Sequence, residues 1–235
     1  MGAITARSNS RRRAASGLLA VPIAAIVLIC VLALAFVTYV LRPRVEAAST
    51  ALEAPALPIV VADTLFRVPP RALRVALQRR AGTQERLDLA FFWPTMTPAA
   101  NPSEDDLAAS AGRIFVTIAP NDGIASPAER LKNIYPRHLA RTVNVGPDGL
   151  SAVAFLDDTP YQGEDLLYDE AAPDRFLVHC TRDKRATAGS CLYERTVGQA
   201  LITLRFPRAL LAEWRALVTG TDRLLTQLHA TTKRD

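Results

Sequence analysis

Hydrophobic and polar positions divide this chain into three regimes. The first is an uncharged run: no Asp, Glu, Lys or Arg stands between Arg13 and Arg42. That gap of about 28 residues exceeds the ~20 that a helix needs to cross a bilayer core, so it predicts a membrane-spanning helix over 17–41. Pro22 falls in the first turns of this helix, and Tyr39 falls where an interfacial aromatic would sit. The second regime, 42–58, carries Pro43, Pro55 and Pro58 among alanines and reads as a spacer. The third, from 59 onward, alternates short apolar runs with turn residues.

Within that third regime, 59–68 is a β-prone run that ends at Pro69-Pro70, and 72–80 fits either a short helix or a strand, closed by Gly82. Leu87, Leu89, Phe91 and Trp93 recur with period two, the signature of a half-buried strand, and Pro94 stops it. Residues 97–112 are polar and read as a loop. Ile114, Val116 and Ile118 mark the next strand. Ser126-Pro127-Ala128-Glu129 predicts a capping box with Pro at the first helical position, opening a helix that runs to about 134 or 139. Gly146-Pro147-Asp148-Gly149 is a turn, and 150–156 and 164–169 are strands. The runs 175–181, 191–195 and 200–206, with Gly198 in the second turn, predict a meander.

At Pro207 the period becomes helical. Leu210, Trp214, Leu217, Leu224 and Leu228 form a stripe, widened by Leu211, Val218 and Leu225, opposite Arg208, Glu213, Arg215, Asp222 and Arg223. A coiled-coil seam is the alternative use of this stripe, but it would have to accommodate Thr221. The pattern as a whole predicts an α+β fold: an antiparallel sheet of about six to nine strands packed by the C-terminal amphipathic helix and preceded by one transmembrane helix. The chain then divides into a cytoplasmic basic segment (1–16), a signal-anchor helix (17–41), an Ala/Pro-rich linker (42–58), a periplasmic domain (59–230) and a tail (231–235).

Charge supports this division. The chain carries 28 Lys and Arg against 23 Asp and Glu, but six of the cations lie in residues 1–44, which hold no acid. The remaining 22 cations balance 23 acids, so residues 45–235 lack the positive face expected of a nucleic-acid module. Arg7, Arg11, Arg12 and Arg13 outnumber Arg42 and Arg44, which favours a cytoplasmic N-terminus, an inner-membrane location and an exported C-terminal domain. A cleaved signal peptide fits less well, because its apolar core would be ~7–15 residues long. Ser10-Arg11-Arg12 lacks the bulky apolar residues of a twin-arginine signal, and Ile29 before Cys30 argues against lipoprotein processing.

Cys180 and Cys191 are the two cysteines of the exported part. If they oppose each other across a hairpin, Val178 pairs with Tyr193 and all four side chains share one face. In an oxidising compartment this predicts a disulfide staple, not a redox pair, since no C-x-x-C spacing is present.

Candidate chemistry is sparse. His138, His179 and His229 show no metal-ligand spacing, and His179 alternates with the core positions Val178 and Cys180, so it reads as a surface strand residue. Neither a metal nor another cofactor is implied. Acidic pairs occur at Asp105-Asp106, Asp157-Asp158 and Glu164-Asp165. The richest segment is Tyr161-Gln162-Gly163-Glu164-Asp165; with Arg79 and Arg80 as possible anion contacts, Tyr161, Glu164 and Asp165 form the candidate ligand site. No nucleophile elbow, P-loop or dinucleotide fingerprint is present.

Gln78-Arg79-Arg80-Ala81-Gly82, Leu87-Asp88-Leu89, Trp93-Pro94, Tyr161-Gln162-Gly163-Glu164-Asp165 and Arg205-Phe206-Pro207 leading to Trp214 resemble uncharacterised single-pass bacterial envelope proteins. The resemblance covers about residues 60–220. It implies a bacterial inner-membrane protein with an exported domain, and it carries no activity to transfer. The expected function is therefore a membrane-tethered periplasmic binding or scaffolding module that meets an envelope protein or ligand. The alternative is a periplasmic hydrolase using carboxylates from 157–165, which would need two of them flanking one bond.

Overall fold

A computed structural model describes residues 12–41, 55–99, 112–183 and 188–229. The chain forms two units, Met1–Ala48 and Ser49–Asp235. Of the regions read above, 1–11, most of the linker, Asp105-Asp106 and the tail lie outside the described residues.

The described part of the first unit is a helix, α1 (Arg12–Leu41, 30 residues). At 1.5 Å per residue it is about 45 Å long. Its described side chains, 22–37, are apolar and exposed, with Ile29 64% and Phe36 67% accessible. That window is about 16 residues, short of the ~20 of a full span. Among the described residues no helix is long and apolar enough to cross a membrane.

The second unit is α+β. Strands β1 (Leu57–Val61) and β2 (Thr64–Val68) form a hairpin, so the β-prone run over 59–68 holds two strands. The break falls at Ala62 and Asp63, both at positive φ (47° and 60°), a two-residue turn without the usual glycine. The ambiguous segment 72–80 is neither helix nor strand but two 3₁₀ turns, Pro70–Ala72 and Ala76–Gln78. Gly82 does not simply end that segment. It opens β3 (Gly82–Thr83), which pairs parallel with β1 and makes a small mixed sheet, β2-β1-β3.

Among the described residues the main sheet has nine strands, all antiparallel. Its members are β4 (Leu87–Phe92), β5 (Thr97–Pro98), β6 (Arg113–Pro120), β7 (Leu139–Val145), β8 (Ser151–Phe155), β9 (Glu164–Tyr168), β10 (Leu177–Thr181), β11 (Ser190–Val197) and β12 (Ala200–Pro207). The spatial order is β5-β4-β6-β12-β11-β10-β9-β8-β7. The meander β10 to β12 is as the turn spacing predicts, and β9 extends it on the β10 side. β7 was not legible, because its sequence directly follows a helix and shows no sustained alternation. The helix, α2 (Pro127–Asn133), starts with both halves of the Ser126–Glu129 capping box and gives way to a 3₁₀ turn at Tyr135–Arg137, where Pro136 removes a ladder donor.

One sheet face carries the main core. Leu87, Leu89, Phe91, Ile114, Val116, Ile118, Ile202, Leu204 and Phe206 are all buried there, and the C-terminal helix α3 (Trp214–Leu228) packs its stripe into the same cluster. The stripe is buried in this domain's core, which uses it up; Thr221 is fully buried, as a core position would be and a coiled-coil surface would not. Before α3, Arg208–Glu213 is 3₁₀, and it turns Leu211 rather than Leu210 fully inward. Trp214 stacks on Phe176 (centroids 5.0 Å apart) and donates its indole N–H to the Asp148 carbonyl. Gly198 turns β11 into β12 at φ 58°; a Cβ there would sit 2.5 Å from the Thr64 Oγ1 that accepts from the Gln199 N–H.

The cysteines pair in the expected register: Cys180 opposes Cys191, and Val178 opposes Tyr193. The disulfide is formed, with Cα atoms 4.0 Å apart, and all four residues are buried on the main-core face.

Candidate functional site

The other sheet face is built by alternation. Along β9, Glu164, Leu166 and Tyr168 point one way while Asp165 and Leu167 point into the main-core side. Pairing sets His179 opposite Leu166 and Thr181 opposite Glu164. The turn after α2 lays Tyr135 over this surface, and Phe155 and Tyr161 close it. The result is a second apolar cluster of Tyr135, Phe155, Leu166 and Leu177, with Tyr161 packed against it.

His179 lies inside this cluster. The surface reading is thus half right: the side chain does leave the main core, but it enters a second one. Only 14% of the side chain is exposed. Phe155 stacks on its ring at 5.3 Å, and Tyr135 meets it edge-on at 4.9 Å. Its Nε2 is 2.6 Å from the Tyr135 hydroxyl, and its Nδ1 is 3.4 Å from Glu164 Oε2. Burial, with the nearby charge of Arg130, pushes the imidazole down to about 4. It is therefore neutral at pH 7, and the Glu164 contact is not an ion pair. The tautomer that serves both neighbours carries the proton on Nδ1 and accepts from Tyr135 on Nε2. Burial pushes the Tyr135 phenol up to about 12 and raises the Glu164 carboxyl. The sequence does hold a signal for this: Phe155, Leu166 and Leu177 all fall on the face that a one-sided sheet would leave polar.

A carboxylate–imidazole–phenol chain has the parts of a proton relay. Tyr135 is 1% accessible, so its oxygen meets no substrate, and the chain serves packing instead. Asp165, on the opposite face, is gripped by two cations: Arg182 Nε at 2.8 Å and Arg208 Nη2 at 2.6 Å. Glu164 and Asp165 therefore cannot act on one bond together. Asp157 and Asp158 are exposed in the turn between β8 and β9.

Of the five candidate ligand-site residues, Tyr161 and Glu164 come together around His179. Asp165 is drawn away to the other face. Arg79 bonds the Leu73 carbonyl beside β4, and Arg80 is exposed in the same segment. β4 and β9 are separated by four intervening strands, roughly 24 Å at the usual spacing, so the two arginines do not join the other three.

Two further features lie outside the sequence reading. A cavity of about 480 Å³ beside α2 is lined by Arg130, Glu194, Glu129 and Asp174, and Arg130 pairs with Glu194 within it. The second feature is an open strand edge. β7 ends the main sheet, and among the described residues no strand pairs with its outer side. Val143 and Val145 are 57% and 91% exposed. The Gly146 N–H bonds the Leu150 carbonyl, which fixes the alternation of the ladder. Asn144 thus bonds inward to β8, while Val143 and Val145 turn their N–H and C=O groups outward. A bulge between Leu139 and Val143 confines the regular part of this edge to its last residues.

No family model and no curated protein sequence matches the chain. The fold does match solved structures. An immunity protein of the Stenotrophomonas maltophilia type IV secretion system is 15% identical, with a TM-score of 0.54 over 75% of this chain and 94% of its own. The iron-regulated outer membrane lipoprotein FrpD of Neisseria meningitidis is 9% identical, with a TM-score of 0.44 over 76% of this chain and 92% of its own. The first likeness shows a shared α+β fold.

Proposed function

We propose that this chain is a single-pass envelope protein whose exported domain binds a protein partner by strand addition at β7. In this reading α1 is the signal anchor in the inner membrane, the Arg-rich segment is cytoplasmic, and the domain is periplasmic. The uncharged run between Arg13 and Arg42 in the sequence supports the anchor. The Cys180–Cys191 bond supports an oxidising compartment.

The observation that carries the partner reading is the outward-facing backbone of Val143 and Val145. An added strand would bond to these N–H and C=O groups and cover two exposed apolar side chains. An immunity protein is among the proteins built on this fold, which is consistent with a binding role. The hydrolase reading gains no support from carboxylates that face opposite sides of the sheet.

Co-purification after mild detergent extraction tests the proposal. Val145→Pro removes an outward donor and leaves the bonds to β8 in place, so it is expected to abolish a stoichiometric partner that the parent protein retains. A clean monomer in both cases, with turnover of an ester or cell-wall substrate, would overturn it.

A further inference from the structure

Far from the aromatic cluster, on the same face of the sheet at its β4–β6 end, a cavity of about 440 Å³ opens between Arg74 and Arg113, walled by Val75, Ala90, Ala99 and Phe115. Arg113 begins β6 opposite Phe92 and is 8% exposed. It is the one charged side chain among the described residues that is buried. Neither guanidinium makes a hydrogen bond or an ion pair among the described residues, and Arg113 Nε is a buried donor with no acceptor. Each instead sits against a ring: Arg113 Cζ is 5.5 Å from the Phe92 centroid, and Arg74 Cζ is 4.5 Å from that of Phe115.

Several other arginines of the domain are held differently. Arg86, Arg130, Arg182, Arg195 and Arg208 each pair with a carboxylate. Asp88 also borders the cavity, but its oxygens are committed to Arg86, Gln78 and Thr117. Arginine cannot shed its charge, so a buried unpaired guanidinium carries its desolvation cost in full. An aromatic face offsets part of that cost while using none of the N–H donors. Among the described residues, two forked donors thus meet no acceptor at the mouth of a cavity walled by apolar side chains and a ring.

We propose that this cavity binds a small oxyanion, a carboxylate or a phosphate, carried on an apolar group. The oxyanion would bridge Arg74 and Arg113, which suit planar and phosphate oxygens alike, and the apolar group would lie along Val75, Ala90, Ala99 and Phe115. The site is separate from the β7 edge, and its occupancy does not depend on a protein partner.

The test is calorimetric titration of the full chain in nonionic detergent with phenyl phosphate and with benzoate. Inorganic phosphate serves as the bare anion, and sodium chloride matches the ionic strength. The expected result is saturable binding of at least one aromatic probe, tighter than inorganic phosphate; which probe binds assigns phosphate or carboxylate. Arg74→Gln and Arg113→Met are each expected to weaken that binding at least tenfold. Arg113→Met is further expected to melt at a higher temperature than the parent without ligand, because it removes an unpaired buried charge. Should that variant not fold, Arg74→Gln, an exposed position, carries the binding measurement alone. The proposal fails if neither probe binds saturably, or if the folded variants bind as tightly as the parent. It also fails if binding appears only after Glu104, Asp105 and Asp106 are neutralised, which would make the chain's own acids the occupant.

Discussion

The Nε2 of His179 and the hydroxyl of Tyr135 meet at 2.6 Å, although the two residues are 44 positions apart in sequence. One comes from the middle of β10 and the other from the turn after α2. Their contact locks the helical cover onto the second face of the sheet.

Acid should loosen that lock. Free imidazole protonates near 6.5, whereas His179 in the folded domain resists protonation down to about 4. Between those values the unfolded chain binds more protons, so stability falls as the pH is lowered through this window and is fully present above it. The loss amounts to up to about 3 kcal/mol. Glu164 opposes it in part, since its raised carboxyl holds a proton above the ordinary value and so costs stability as pH rises past 4.5. Urea melts at pH 7 and pH 4.5 should show the drop, and His179→Gln, which keeps a partner for Tyr135 but does not titrate, should flatten it.

Reducing the Cys180–Cys191 bond should cost about 3 kcal/mol, the loop-closure term for a separation of 11 residues. Both sulfurs are buried on the main-core face, so Cys180→Ala with Cys191→Ala adds a small cavity penalty to that loss. Melting with and without reductant checks the first figure. Peptide mass spectrometry that found both thiols free in protein isolated from cells would refute the oxidising compartment.

Asp165→Asn should destabilise the domain by about 2 kcal/mol, because it strands Arg182 and Arg208 around a partly buried position. The loss appears as a lower denaturant midpoint with an unchanged slope. A residue acting in hydrolysis would instead leave the midpoint in place.

Protease added to right-side-out spheroplasts should degrade the domain and leave a membrane-protected fragment containing residues 14–41. Full resistance of the domain would reverse the orientation proposed from the arginine bias.

The local features of this fold are those that local chemistry dictates. Ser126 and Glu129 cap α2 because their spacing matches one helical turn. Leu87, Leu89 and Phe91 find the core because a pleat alternates. Cys180 and Cys191 pair because a hairpin of that length opposes them. The α+β class, the meander and the buried face of α3 follow from the same periodicities.

Other features depend on what lies opposite, and periodicity is blind to that. His179 reads as exposed until α2 and its turn cover the second face. Glu164 and Asp165 read as a pair until the strand sends them to opposite sides. Arg79 and Arg80 read as possible partners of Tyr161 until strand order sets four strands between them. Arg113, which no sequence pattern singles out, is enclosed by Phe92 and the cavity wall. Which face of each element is apolar follows from the chain alone, because that depends on neighbours two to four residues away. Which charges are buried, which are paired and which edge is left open emerge from the packed fold, because those depend on contacts between segments that no local rule connects.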